Sequence, residues 1–192
     1  MVERSATAFA RHFQGPSELD AQSGTLSHSG AVINDNFALV DQFSEDTGGV
    51  ATVFARQGDD FVRITTSLRN LQGERVMHTK LDRNHPAYAL MQTGQPYVGR
   101  ANLFGKPYMT AYTPMRDASG QVVGILFVGS DLSAFQEGIQ QQVANTRLFE
   151  HGGAMVIDPG KQWDQAFFVA HRTHAGKKVL ESFPNAQTSL EQ

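Results

Sequence analysis

The sequence predicts an α+β domain built around five antiparallel strands. Two short strand candidates follow Gly48, and three more follow one another closely after residue 96, with turn residues between neighbours. Segments with helical features precede the first strand, separate the second strand from the third, and follow the fifth. This order, with helices packed on the faces of one antiparallel sheet, is typical of the α+β class.

The five strands are short apolar runs that end at turn signals. The turns at 57–60, 104–107 and 117–120 are rich in Gly, Asp and Pro. The first and fifth runs are apolar on both faces, so we expect them near the centre of the sheet, covered on two sides. The predicted strands are Val50–Arg56, Phe61–Thr66, Tyr97–Leu103, Tyr108–Met115 and Val122–Val128.

Helices are predicted from periodicity and from boundary residues. Apolar side chains recur at helical spacing over residues 1–14, before Gly15 and Pro16. Residues 33–43 are a second, weaker stretch that is helical or extended, and their spacing favours the helix. A short helix begins at Pro86, and a last helix over residues 131–146 follows the fifth strand. Residues 15–30, rich in Ser, Gly and Gln, are predicted to be a loop or linker.

The composition excludes several classes of protein. The chain has 192 residues, 40% of them hydrophobic, and a net charge of −3, which argues against a nucleic-acid-binding surface. It has no cysteine, which excludes disulfides, a thiolate nucleophile and cysteine-ligated metals. No apolar run approaches the ~18 residues of a membrane span, and no signal peptide is visible at the start. We therefore expect either a cytosolic protein or a soluble fragment of a larger one.

Four segments of the chain match one known sensor family in order and spacing. They are residues 47–68 (beginning TGGVATVFARQGDDF), 81–88 (LDRNHPAY), 94–117 (beginning GQPYVGRANLFG) and 120–131 (GQVVGILFVGSD). Together they resemble the Cache domains, in particular the Cache3-type domains of bacterial methyl-accepting chemotaxis transducers. The resemblance covers roughly residues 31–135.

The end of the chain resembles the start of a second, Cache2-like module. Gly152 and Gly153 precede an apolar run, and a second run covers Phe167–Ala170, which repeats on a small scale the pattern that follows Gly48. The remainder of such a module is missing. The predicted organisation is an N-terminal helix and linker at 1–30, a Cache-like sensor domain at 31–135, and a connecting helix with a partial second module at 136–192.

The resemblance implies both a fold and a function. It implies a PAS-like five-stranded antiparallel sheet with a long N-terminal helix and a C-terminal helix. It implies the periplasmic, extracytoplasmic part of an inner-membrane chemoreceptor, which binds a small molecule, forms a homodimer, and meets the membrane only through flanking segments absent from this chain. Two alternatives stay open: the sensor domain of a histidine kinase or diguanylate cyclase, and a ligand-free structural or dimerisation module.

The sequence gives little support for catalysis. A Ser or Thr nucleophile needs a base and an orienting group, and no G-x-S-x-G or comparable motif is present. His171 and His174 have a spacing that suits a metal only on a helix, and they lie in a polar stretch without a carboxylate at ligand spacing. We therefore expect no enzyme activity, no cofactor and no metal site.

Binding is predicted mainly from one arginine in the second strand. Arg63 lies within an apolar run and is followed by three hydroxyl residues, Thr65, Thr66 and Ser67. A half-buried guanidinium is costly unless it meets an anion, and its planar fork suits a carboxylate. The alternative is an edge-strand arginine that points to water. The favoured ligand is a small organic anion such as a short carboxylate.

Tyrosines and a second arginine complete the predicted site. Tyr108 and Tyr112 share one face of the fourth strand, and a tyrosine offers an apolar wall with one hydrogen-bonding tip. Tyr97 and Arg100 in the third strand are three residues apart and therefore on opposite faces. We expect at most one of them to line the same pocket, with Tyr97 as a wall residue and Arg100 as the alternative anion contact.

Overall fold

The computed structural model describes residues 2–148, 152–160 and 162–184, and they form two compact units, Met1–Asp131 and Leu132–Gln192. The first unit contains three helices, a small three-stranded sheet and a large five-stranded sheet. Its elements in chain order are α1 (Val2–Ala10), a 3-10 turn (Arg11–Phe13), β1 (Ser17–Asp20), β2 (Thr25–His28), β3 (Ala31–Val32), α2 (Ala38–Thr47), β4 (Val50–Gln57), β5 (Asp60–Thr66), α3 (Pro86–Gln92), β6 (Tyr97–Leu103), β7 (Lys106–Arg116) and β8 (Val122–Asp131).

The large sheet is antiparallel throughout, in the order β5-β4-β8-β7-β6. The central strand β8 is buried on both faces from Val122 to Gly129. This confirms the predicted α+β fold with five antiparallel strands and with the first and last strands near the centre. Continuous apolar runs mark these two strands because both of their faces are covered by other elements.

Each face of the large sheet carries its own hydrophobic core. One core joins α1 and α2 to the sheet through side chains that include Phe9, Phe43 and Val53. The other core joins α3 to the opposite face through Phe61, Met91 and Tyr112, among others. The sheet is therefore the middle layer of the unit, with different elements covering its two sides.

A β-bulge in β5 changes which side chains share a face. Val53 pairs with Thr65, but the next residue, Phe54, pairs with Arg63, so Ile64 has no residue opposite it. Ile64 joins the same core as Val53, whereas Phe54 and Arg63 lie on the other face, with the guanidinium 5.1 Å above the Phe54 ring. A bulge re-aims side chains in this way and is common beside functional sites.

Residues 15–30 are not the loop that the sequence predicted. They form β1, β2 and the turns next to them, which together with β3 make a three-stranded antiparallel sheet. These strands are short and polar, so their composition resembles that of a loop, and Leu26 is their one fully buried apolar side chain. Pairing with neighbouring strands, which is a tertiary effect, overrides the weak local preference.

The helix predicted over residues 33–43 is also displaced along the chain. Helix α2 begins at Ala38 and ends at Thr47, where Gly48 adopts a left-handed conformation with φ of 67°. Ile33 lies before the helix as a buried loop residue, and its amide donates to the carbonyl of Leu26. Ile33, Val40 and Phe43 are buried, as their apolar character suggested. Ile33, however, is buried by its pairing with the strand that contains Leu26 and not by a helix.

The second unit contains α4 (Ser133–Asn145), two strand pairs and a short last helix. The pairs are β9 (Arg147–Leu148) with β10 (Gly152–Gly153) and β11 (Val156–Asp158) with β12 (Phe167–Ala170), and α5 is Val179–Ser182. Ala166, Phe168 and Val179 form a small core. The described helices of the chain are too short or too polar to cross a lipid bilayer. The predicted domain boundaries at 30 and 135 stay predictions.

Candidate functional site

A cavity of about 570 Å³ lies on the α3 side of the large sheet. Its volume falls within the range of roughly 300–1,000 Å³ that is usual for small-molecule sites. One wall is formed by residues of the segment between β5 and α3. The lining residues are Phe54, Arg63, Tyr97, Tyr112, Thr79, Lys80, Leu81, Asp82, His85, Pro86, and the five residues 100–104 along β6 and its turn.

The segment that closes the cavity is held against the free edge of β5 by main-chain hydrogen bonds. The Arg63 amide donates to the carbonyl of Thr79 at 2.9 Å, and the His78 amide donates to the carbonyl of Arg63 at 3.0 Å. The Leu81 amide donates to the carbonyl of Phe61. The wall is therefore an extension of the sheet edge, and it is fixed relative to Arg63.

Arg63 is the most buried charged side chain that faces the cavity, with 8% of its surface exposed. Its Nη1 donates to the carbonyl of Val76 at 3.2 Å and to the Thr79 hydroxyl at 2.8 Å. Its Nε is buried and has no hydrogen-bond acceptor. Among the described residues, no carboxylate forms an ion pair with this guanidinium. The cavity thus contains a cation whose charge lacks an anionic partner.

Burial lowers the pKa of Arg63 to about 10, and the nearby Tyr112 offsets this only in part. The side chain is still charged at neutral pH. The lowered pKa shows that the charged form is poorly solvated here. An anion that entered the cavity would reverse this effect, because an opposite charge favours the charged form.

Aromatic side chains form the wall beside Arg63. The rings of Tyr97 and Tyr112 are 5.9 Å apart, and the His85 imidazole lies 5.4 Å from the first and 5.3 Å from the second. Tyr112 also packs edge-on against Phe127 at 4.9 Å. Burial raises the pKa of Tyr112 to about 12, which keeps its hydroxyl protonated at neutral pH. Most of the surface of this wall is therefore aromatic, and its hydrogen-bonding groups are the tyrosine hydroxyls and the imidazole nitrogens.

His85 connects the wall to the start of α3. Its Nδ1 accepts the amide hydrogen of Ala87 at 3.1 Å and so caps the helix, and Pro86 is the first helical residue. Burial lowers the pKa of His85, and Asp82 offsets this in part. Since the folded-state pKa lies below the unfolded value of 6.5, the unfolded chain binds a proton first as the pH falls below 6.5. Stability is therefore lost with acidification through that range.

The other charged side chains at the cavity are more exposed. Lys80 pairs with Asp60 at 2.7 Å, and Arg83 pairs with the same carboxylate at 2.8 Å. These two cations hold the pKa of Asp60 at about 2, with Arg83 as the larger cause. The charge of Lys80 is thus compensated outside the cavity, which makes Arg63 the principal buried cation of the site.

The structure brings four of the eight predicted site residues to this cavity and leaves four away from it. The four that line it are Arg63, Tyr97, Arg100 and Tyr112. The four that do not line it are Thr65, Thr66, Ser67 and Tyr108. A role in ligand binding stays a prediction for the first group.

The three hydroxyl residues make contacts away from the cavity, and for Thr65 the bulge in β5 is the reason. Thr65 lies on the opposite face, where its hydroxyl donates to the carbonyl of Asn36 at 2.8 Å. The Thr66 hydroxyl bonds to that of Thr52, and the Ser67 hydroxyl bonds to Ser44. All three serve pairing and helix contacts, and the expectation that Thr66 or Ser67 surrounds Arg63 is wrong.

Tyr108 shares a face with Tyr112 but lies four residues away along β7, which is about 13 Å at the rise of a strand. Tyr108 is buried, and it pairs with Asp131 at the end of β8. Burial raises the pKa of Tyr108, and Asp131 adds to this effect. It is a packing residue at a distance from Arg63.

The expectation that only one of Tyr97 and Arg100 reaches the cavity is wrong. Both line it, because β6 is the edge strand of the sheet and the rim of the cavity runs along it. Residues 100–104 all contribute to that rim, regardless of which face of the strand they occupy. The side chains of β6 still alternate between the two faces, but a rim that runs along the edge of the sheet can touch both faces.

Sequence reasoning missed three important lining residues. Phe54 supports the Arg63 guanidinium, Thr79 accepts a hydrogen bond from it, and His85 packs on both tyrosines. The sequence predicted only that a helix begins at Pro86, and His85 is the residue before it. Its cap position beside Pro86 was visible in the sequence, but no local signal marked Thr79, which lies in an irregular segment.

The histidine pair of the second unit is a compact aromatic cluster. The Nδ1 atoms of His171 and His174 are 3.3 Å apart, and Phe168 and Phe183 pack on both rings. The His171 Nδ1 already accepts the amides of Thr173 and His174, both at 3.1 Å. Within the described residues, no group of three or more His, Cys, Asp or Glu is placed to hold a metal ion.

Solved structures of chemoreceptor domains are similar to this chain over much of its length. The periplasmic sensory domain of the Campylobacter jejuni chemoreceptor Tlp1 is 11% identical, with a TM-score of 0.48 over 99% of this chain and 71% of that domain. The ligand-binding domain of the Pseudomonas aeruginosa PAO1 amino acid chemoreceptor PctC, in complex with GABA, is 15% identical, with a TM-score of 0.46 over 95% of this chain and 70% of that domain.

The ligand-binding domain of the C. jejuni chemoreceptor Tlp3, in complex with L-valine, is 12% identical, with a TM-score of 0.42 over 75% of this chain. This chain spans 55% of the length of that domain, or little more than half. No curated protein matches the chain. Residues 6–190 match the Cache 3/Cache 2 fusion domain family, which is nearly the whole sequence, and the chain therefore belongs to this family of sensor domains.

Proposed function

We propose that the chain is the extracytoplasmic sensor domain of a transmembrane chemoreceptor, and that it binds a small organic anion such as a short carboxylate in the cavity beside Arg63. Membership of a family of ligand-binding sensor modules supports a binding role rather than a catalytic one. The proposed ligand-contacting residues are Arg63, Tyr97, Arg100 and Tyr112.

One observation carries this proposal, namely the buried Arg63 guanidinium without an anionic partner. A charge in a poorly solvated place is unfavourable unless a counter-charge reaches it. The Arg63 Nε–H has no acceptor, and Nη1 is oriented by Val76 and Thr79. A carboxylate is the planar anion that fits a guanidinium through two hydrogen bonds, and it would supply both the charge and the missing acceptor.

The remaining lining favours a short organic ligand over an inorganic anion. Tyr97, Tyr112 and Phe54 present apolar surface next to the guanidinium, which suits a hydrocarbon chain. Asp82 also lines the cavity and would attract an ammonium group on the same ligand. Amino acids therefore fall within the proposed class, in keeping with the GABA and L-valine complexes of the PctC and Tlp3 domains.

Isothermal titration calorimetry with propionate, L-valine and γ-aminobutyrate tests the proposal. We expect at least one of them to bind the parent chain, and Arg63→Ala to weaken that binding roughly 100-fold, the equivalent of about 3 kcal/mol for two charge-assisted hydrogen bonds. Arg63→Lys keeps the charge but loses the fork, so roughly tenfold weaker binding is expected.

Arg11→Ala is the matched control, because it removes the same charge from an exposed position that does not line the cavity. It should leave the affinity unchanged. Equal binding by the parent and by Arg63→Ala would contradict the assigned site. Absence of binding by any short carboxylate would favour the ligand-free structural or dimerisation module instead.

The wider assembly belongs to the same proposal. We infer a homodimer, with membrane contact only through flanking segments outside this chain, and an output by population shift between two geometries of the sensor. Residues 136–192 are proposed to be a connecting helix followed by a partial second module. The output partner, whether a chemotaxis signalling region, a histidine kinase or a diguanylate cyclase, would be identified by the sequence beyond a membrane helix in the full-length gene.

A further inference from the structure

We propose that the unit has a second, independent binding site for a small uncharged aromatic molecule of the phenol type, in a cavity on the opposite face of the large sheet. This cavity has a volume of about 250 Å³. It lies where the 3-10 turn, β2–β3 and α2 meet the sheet. Its lining residues are His12, Phe13, His28, Ser29, Ala31, Val32, Ile33, Asn36, Leu39, Val40, Val53 and Thr65.

The walls of this cavity are mostly apolar, and its mouth exposes apolar side chains to solvent. Val40 and Val53 form part of the floor and are buried to 1% and 0% exposure. Val32 and Leu39 also line the cavity, yet they are 50% and 40% exposed. Exposed apolar residues grouped around a concave apolar surface are typical of a ligand site rather than of a packing defect.

The lining indicates an uncharged ligand. It includes no Asp, Glu, Lys or Arg among the described residues, so nothing there would compensate a buried ionic group. Its polar members include two imidazoles, and the His28 Nδ1 lies 3.1 Å from the Ser17 hydroxyl. A single hydroxyl on the ligand suits such a lining, because an imidazole and a hydroxyl each donate and accept.

Size and shape favour one aromatic ring. Phe13 packs against the His28 ring at 5.6 Å, which forms an aromatic corner at one side of the cavity. An apolar cavity of about 150 Å³ in another protein holds benzene. The larger volume here accommodates a ring with one substituent, and ring-on-ring contacts with Phe13 would stabilise it.

The bulge in β5 separates this site from the first one. Val53 and Thr65 pair with each other and line the second cavity, whereas Phe54 and Arg63 pair with each other and line the first. The two cavities thus lie on opposite faces of the same two strands. A ligand in one cavity therefore does not need a ligand in the other. The experiment tests this independence by changing Arg63, which lines only the first cavity.

The test is a titration of the folded chain with phenol and with benzoate, followed by NMR. Nuclear Overhauser contacts from the phenol ring to the methyl groups of Val53 and Ile33 are expected, and none to Tyr97 or Tyr112. Phenol should bind Arg63→Ala as it binds the parent, within twofold. Benzoate should bind Arg63→Ala at least tenfold more weakly than phenol does, because its carboxylate has no partner in the second cavity.

Ala31→Phe provides the variant test, since Ala31 is an exposed lining residue whose enlargement fills the mouth. It should weaken phenol binding at least tenfold, and Ala118→Phe, at an exposed turn position outside the cavity, should not. The proposal is overturned if phenol shows no saturable binding. It is also overturned if the ring contacts appear at Tyr97 and Tyr112, or if Arg63→Ala abolishes phenol binding. The parent-chain NMR contacts decide the question even if Ala31→Phe does not fold.

Discussion

Replacing Arg63 by Met should leave the unliganded protein as stable as the parent, or make it more stable by up to about 1 kcal/mol. Methionine fills a similar length with an unbranched chain, carries no charge, and retains favourable contact with the Phe54 ring. The prediction follows from treating Arg63 as a residue retained for binding. Such residues commonly cost stability.

The magnitude follows from the pKa and from the hydrogen bonds. Burial lowers the pKa of Arg63 to about 10, which corresponds to a penalty of about 3 kcal/mol for the charged form, at 1.36 kcal/mol per pKa unit. Against this, Nη1 makes two charge-assisted hydrogen bonds, to Val76 and Thr79, each worth about 1.5 kcal/mol. The two contributions nearly cancel, which leaves a net cost of up to about 1 kcal/mol.

Urea unfolding of the parent and of Arg63→Met, without added ligand, measures this difference. Arg75→Met is the matched comparison, because Arg75 pairs with both oxygens of Asp41 and lies 4.4 Å above the Phe37 ring. That variant should lose about 2 kcal/mol. A loss above about 2 kcal/mol for Arg63→Met would refute the reasoning, since it would make Arg63 a structural residue whose cavity needs no ligand.

Three further substitutions test the geometry of the site and of the sheet. Gly99→Ala should weaken carboxylate binding about tenfold, because an added Cβ clashes with the Tyr97 hydroxyl and forces that ring to move; calorimetry measures the affinity. Gly124→Ala should lower the free energy of unfolding by about 2 kcal/mol or more in urea titrations, because the new Cβ lies 2.5 Å from the main-chain oxygen of Phe54. His85→Asn keeps a capping side chain without a titrating imidazole, so its melting temperature should fall less than that of the parent between pH 7 and pH 5.

The glycine substitutions have a control at an open position. Gly138→Ala places a methyl group in open space on helix α4 and should not lower the melting temperature. Undiminished binding by Gly99→Ala, parental stability of Gly124→Ala, or an unchanged pH dependence in His85→Asn would each contradict the corresponding structural reason.

The sheet could be predicted from the sequence because its strands are apolar and its turns are chemically distinct. Residues 97–103 were predicted with the observed bounds, and the helix at Pro86 with its observed start. The small sheet formed by β1–β3 could not be predicted in this way, because its polar strands depend on one another for pairing. Local composition carries no information about a partner strand that lies elsewhere in the sequence.

The candidate site was predictable only in part. Arg63 was recognisable because a charge in an apolar strand demands an explanation. The bulge at Ile64 was not recognisable, since it depends on the register between β4 and β5, and it moves Thr65 to the other face. Thr79 reaches Arg63 through a long irregular segment, so its contribution depends on tertiary structure alone.

The Arg63 side-chain Nε–H signal in ¹H–¹⁵N NMR spectra tests the central claim most directly. This N–H has no acceptor in the unliganded protein, and the claim is that a carboxylate supplies one. Saturation with the best-binding short carboxylate should move the proton downfield and slow its exchange with water, and the signal should be absent from Arg63→Lys. A carboxylate that binds the chain yet leaves the Arg63 signal unchanged would contradict the account.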